Sequence, residues 1–99
     1  MADDRHTVWA RRFDLLGDVT RLRLLDRMHH HPGSTVAELA AAADITPATA
    51  SQALRTLRAQ GWVEAERDGR LMRYRLVDAT AHQLLHVMGA DHPAGPRPA

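Results

Sequence analysis

Apolar positions along this chain recur first with a helical period and then, beyond Gly61, with an alternating one. Trp9, Phe13 and Leu16 fall at i, i+4 and i+7, the stripe of a helix from about Thr7 to Leu16. Gly17 ends that helix and Asp18 caps a second over residues 19–30. There Leu22, Leu25 and Met28 share a side with Leu24 beside them, and Arg21, Arg23 and Arg27 lie off the stripe. His31-Pro32-Gly33 reads as a turn. Thr35-Val36-Ala37-Glu38 has the spacing of a capping box, in which a hydroxyl and a carboxylate each take the other residue's amide. A short helix follows to Ala43, burying Val36, Leu39 and Ala40. After Asp44-Ile45, Thr46-Pro47 supplies a hydroxyl cap and a proline at the first helical position. That helix runs to about Gln60, turns Ala50, Ala53, Leu54 and Leu57 inward, and stops at Gly61 in a left-handed conformation.

The period then changes. Trp62–Arg67 and Arg70–Leu76 read as two strands joined by Asp68-Gly69, a preferred hairpin dipeptide. Met72, Tyr74 and Leu76 alternate with Arg73 and Arg75, giving one packing face and one cationic face. A last helix spans about Asp78–Met88, with Ala81, Leu84, Leu85 and Met88 apolar. Residues 1–6 are polar and 91–99 rich in Pro and Gly, so both are expected to be disordered tails. The order ααααββα describes a single, mainly α domain over 1–99 with a β-hairpin wing, a winged helix-turn-helix.

Composition and charge add to this reading. The chain has 99 residues and only 4% aromatics, so Leu and Ala must build a thin core that a second subunit would help to complete. It has no Cys, which removes disulfides, thiolate metal sites and thiol chemistry. Neither a membrane span nor a signal peptide is visible, which makes the cytoplasm the expected address. The net charge of +1 is unevenly distributed. Residues 46–76 carry six Arg against three acidic residues, a local +3, and each flank sums to −1. A basic block inside a near-neutral chain is the electrostatic footprint of a nucleic-acid face.

The outer face of the 46–60 helix has the chemistry for that role. Thr46, Ala48, Thr49, Ser51, Gln52 and Arg55 remain once the apolar stripe is removed. Small residues let a helix enter a major groove closely. Gln pairs bidentately with adenine, Arg with guanine, and Thr or Ala meets the thymine methyl. Arg67 and Arg70 at the hairpin tip are placed for phosphates or the minor groove. Gln and Arg on one helix could equally be solvated surface, but the ordered series of caps, stops and hairpin favours double-stranded DNA.

The segments LGDVTRLRLLDRM (16–28), TVAELAAAADITPATASQALRTLRAQGWV (35–63) and RDGRLMRYRL (67–76) resemble the ArsR/SmtB family of bacterial transcriptional regulators. The specific part is Ser51-Gln52, Leu54, Leu57-Arg58, Gly61, Gly69-Arg70 and Tyr74-x-Leu76, within a resemblance spanning residues 14–86. It implies a winged-helix homodimer, joined through its first and last helices, on an inverted-repeat operator. The apolar stripes Trp9/Phe13/Leu16 and Leu84/Leu85/Met88 agree with such a dimer, which would bury both, although they could simply close the monomer core.

The resemblance also implies a metal effector. The family's thiolate site has no counterpart, since residues 36–41 read Val-Ala-Glu-Leu-Ala-Ala. Its second site lies on the last helix. Asp78 matches the first ligand, but Thr80 stands where a His belongs. His82 and His86, spaced i and i+4, share one helix face instead, and Asp91 and His92 fall near the expected second pair. The ligand set expected is Asp78, His82, His86 and His92. Nitrogen and oxygen donors favour nickel, with zinc and cobalt as alternatives, as in the nickel-responsive branch of the family. His6 is a further candidate donor. His29-His30-His31 point in three directions on a helix and cannot all ligate one ion there. A competing reading keeps DNA binding without metal sensing and takes its signal from a co-regulator protein. An enzyme is not expected, because no acid, base and nucleophile can be placed together.

Overall fold

The computed structural model describes residues 4–89, which form α1 (Arg5–Leu16), α2 (Val19–His30), β1 (Ser34–Thr35), α3 (Val36–Ala43), α4 (Pro47–Ala59), β2 (Val63–Asp68), β3 (Leu71–Leu76) and α5 (Ala79–Val87). The caps read from the sequence act as such. Asp18 accepts from the Arg21 amide, Thr35 and Glu38 form the reciprocal box, and Thr46 caps α4 with Pro47 behind it. Asp78 caps α5 by accepting from Ala81 N–H at 2.8 Å.

Three local expectations are corrected. Helix α1 begins at Arg5, inside the tail expected at 1–6, because the Asp4 carboxylate accepts from Thr7 N–H at 2.8 Å and caps it. Gly17 ends α1 as expected, with φ −78°. The wing register is one residue later than expected: Asp68 pairs with Leu71, leaving Gly69-Arg70 as the turn. Gly69 has φ +63°, and a glycine at the first turn position is the type II′ arrangement. Finally, Ser34–Thr35 adds a short edge strand, so the antiparallel sheet has the order β1-β3-β2. The expected tail 91–99, with Asp91 and His92, lies outside the described residues.

One core holds the elements together. Leu24, Leu25 and Met28 of α2, Leu39 and Ala43 of α3, and Leu54 and Leu57 of α4 pack with Trp62, Val63, Tyr74, Ala81 and Leu85. Leu24 and Leu25 are fully buried, whereas Leu22 is only partly so. On α1 the buried residue is Leu15, while Trp9 and Phe13 stay exposed, Phe13 at 59%. Val87 at the end of α5 is 80% exposed, and Met88 just beyond it is also exposed. Among the described residues no helix is long and apolar enough to cross a membrane.

Candidate nucleic-acid interface and histidine cluster

The interface is built from the turn between α3 and α4. Asp44 caps α3 in the left-handed region (φ 58°, ψ 48°), and this allows a connection of only three residues before α4. Ile45 N–H then donates to Ala40 C=O at 3.0 Å, which locks the turn against α3. The Thr46 hydroxyl accepts from Thr49 N–H and donates to the Thr49 hydroxyl at 3.0 Å, so the first turn of α4 is held rigid. Ala50, Leu54 and Leu57 bury the inner face of α4 completely or nearly so. With that face fixed, Ala48, Thr49, Gln52 and Arg55 are exposed and Ser51 is half-buried. The Arg55 guanidinium reaches the Gln52 side-chain oxygen at 3.5 Å, which aligns the two groups on one face.

The wing completes the surface. Arg67 and Arg70 are exposed at its tip, as expected. The face bearing Arg73 and Arg75 is not the free cationic surface the alternation suggested. Arg73 donates to Asp68 at 2.7 Å and to Gly33 C=O at 3.1 Å, and Arg75 donates to Glu64 at 2.9 Å. The bond to Asp68 raises the Arg73 pKa, and the bond to Glu64 does the same for Arg75. The positive charge facing outward is therefore carried by Arg55, Arg58, Arg67 and Arg70. Ser51, Arg55, Arg58, Ala59 and Tyr74 line an open cleft of about 450 Å³ between α4 and the wing. Arg58 was counted in the basic block but given no role; its i+3 spacing from Arg55 was the signal for its place here.

Arg21 is a second residue that sequence reading passed over. Its side chain donates to Leu15 C=O at 3.0 Å and Asp14 C=O at 2.9 Å, satisfying carbonyls at the end of α1. It thereby fixes the end of α1 against α2.

Of the expected metal ligands, Asp78, His82 and His86 are among the described residues, and these three are not brought together as a set. Asp78 already caps α5, and the Arg12 guanidinium donates to the same carboxylate oxygen at 3.1 Å. Arg12 also sits 5.6 Å from the Trp9 ring and 5.9 Å from the Trp62 ring, tying α1, the wing root and α5 together. His82 and His86 are exposed on α5. The His82 ring lies edge-on to His29 of α2 with centroids 4.3 Å apart. His29 also contacts His30, whose Nδ1 faces Asp26 C=O at 3.0 Å. Among the described residues no three His, Cys, Asp or Glu side chains gather as a metal ion would require. Thr80 is half-buried at the position where a ligand His was expected.

A family model for the MarR family matches residues 18–71, which run from the cap of α2 to the start of β3. The chain belongs to the MarR family. Solved structures agree with this placement. The transcriptional repressor BigR from Xylella fastidiosa is 31% identical, with 92% of each chain covered and a TM-score of 0.79. The antimony-specific transcriptional repressor AntR is 30% identical over 86% of this chain and 78% of that one, with a TM-score of 0.75. Rv0081 of M. tuberculosis is 28% identical over 88% and 87%, with a TM-score of 0.76. No curated protein sequence matches the chain. A MarR-family chain with this fold is a DNA-binding transcriptional regulator of the winged-helix type and not an enzyme. These similarities do not show the ArsR/SmtB nickel branch expected from the sequence.

Proposed function

We propose that this MarR-family chain is a dimeric repressor that reads an inverted-repeat operator with α4 and grips its backbone with the wing. The observation that carries the reading is the outer face of α4. Thr46, Ala48, Thr49, Ser51, Gln52 and Arg55 lie on a helix whose inner face is buried and whose start is doubly capped. Gln52 and Arg55 are the base-reading pair, and Arg58, Arg67 and Arg70 meet phosphates. BigR and AntR are repressors, and we extend that sign of regulation to this chain. The exposed Trp9, Phe13, Val87 and Met88 form the dimer face. A two-fold pair would set two α4 helices about 34 Å apart, one turn of DNA. Its place of action is the cytoplasm, with the DNA.

The effector in this reading is a divalent metal ion, nickel first and zinc or cobalt next. The donor chemistry fits. His82 and His86 lie one turn apart on α5, and a sequence without Cys is poorly suited to the sulfur-seeking ions. Asp78 and His92 complete the set, and Asp78 would exchange its contact with Arg12 for the ion. The bound ion adds positive charge beside the dimer helices. One observation favours the second reading, in which a co-regulator protein supplies the signal: the Asp78 carboxylate is already held twice, and Thr80 replaces a ligand.

A gel shift on the DNA upstream of the protein's own gene, repeated with nickel, zinc and cobalt, tests both parts. A specific shift that nickel changes supports the full reading. A shift that no ion alters favours the co-regulator, and no shift on any DNA overturns the operator-binding proposal.

A further inference from the structure

We propose that His29 of α2 and His82 of α5 together bind one divalent cation within a single subunit. This goes beyond the expected ligand set, in which His29 had no part, and it rests on the reading that α5 holds the effector metal.

Imidazole nitrogens bind such ions at about 2.0–2.1 Å, so two rings on one ion have centroids about 4.5–5 Å apart. The His29 and His82 rings stand at 4.3 Å with their planes 72° apart. His82 is exposed, so its side chain can swing to the separation an ion requires. His29 lies in the last turn of α2, where the negative end of the helix dipole favours a cation. The backbone there is already fixed, because His31 N–H donates to Arg27 C=O at 2.8 Å. His82 is equally well placed, since its own N–H is bonded to Asp78 C=O at 3.0 Å. His30 does not join the pair, as its ring turns to Asp26. The rest of the coordination comes from the other ligands proposed above and from solvent.

The position gives the ion leverage over the DNA-binding surface. Just after His29 the chain enters the wing sheet: Gly33 N–H donates to Tyr74 C=O at 2.9 Å, and Ser34 pairs with Tyr74. Tyr74 also lines the cleft beside Arg55 and Arg58. An ion at His29 and His82 therefore clamps α5 to the segment that anchors the wing.

The test is calorimetric titration of the full chain with nickel chloride and zinc sulfate. The wild type is compared with His29→Gln, His82→Gln, His86→Gln and His30→Gln. His29→Gln and His82→Gln should each weaken binding by about tenfold or more, the range seen when a metal site loses a supporting group, and His30→Gln should leave it unchanged. If His29→Gln binds like the wild type while His82→Gln or His86→Gln weakens, the α5 metal reading survives and the bridge to α2 is overturned. If the wild type binds neither ion, both fail. Imidazole ¹⁵N spectra of the wild type during a zinc titration give a readout independent of any variant's folding. His29 and His82 shifting together supports the bridge, and a His82 shift accompanied only by His86 overturns it.

Discussion

At the residue scale, the side chains proposed to read bases and those proposed to grip the DNA backbone have different signatures. Gln52 and Arg55 are coupled on the exposed face of α4 and are assigned to bases. Gln52→Ala and Arg55→Ala should each lower affinity for the operator by about 1–3 kcal/mol and relax specificity at particular base positions. Anisotropy titrations on single-base operator variants check this. Arg70, at the wing tip, is assigned to a phosphate. Arg70→Ala should weaken binding evenly across sequences and reduce the salt slope by about one unit. Backbone strain gives a further test. Asp44 sits at positive φ, where an L side chain costs about 1 kcal/mol, so Asp44→Gly should raise thermal stability slightly. Gly61 has φ +77° just beyond α4, and Gly61→Ala should lower stability by a similar amount. Thermal unfolding of the two variants checks both signs.

At the element scale, helix ends are where stability can be titrated. The Glu38 carboxylate accepts from Thr35 N–H at 2.8 Å, and this bond holds its pKa below the usual glutamate range. The sign follows from that direction. The stabilisation is complete above the ordinary glutamate pKa of about 4.3 and is lost as pH falls through the lower folded-state value. The difference in melting temperature between wild type and Glu38→Gln should therefore be largest near about pH 6 and shrink toward about pH 3. Local signals of this kind were legible in the sequence. Asp18, Thr35 with Glu38, and Thr46 with Pro47 each act within four residues, and the structure uses all of them. What escaped depends on partners far along the chain. The edge strand exists only because Ser34 and Thr35 meet Tyr74 and Arg73. The neutralisation of Arg75 follows from its register opposite Glu64, and the contact of His29 with His82 follows from α2 packing near α5. The wing turn was misplaced by one residue because Asp68-Gly69 and Gly69-Arg70 are both acceptable turn pairs. The bond from Arg73 to Asp68 keeps Asp68 in the strand.

At the scale of the whole molecule, the thin aromatic core and the exposed rings have one explanation. Trp9 and Phe13 pack against each other at 5.8 Å yet remain exposed, which a second copy of the chain would relieve. Trp9→Glu/Phe13→Glu should give a monomer in sedimentation and lose operator affinity while α4 itself is untouched. Dimerisation and groove reading depend on each other, and one experiment joins them. Fluorescence anisotropy of a fragment from the protein's own upstream region, beside a scrambled fragment of equal length, measures specificity and stoichiometry at once. The account predicts two subunits per operator and affinity at least about a thousandfold tighter than for the scrambled DNA. Equal affinity for the two fragments, or saturation at one subunit per site, would contradict it.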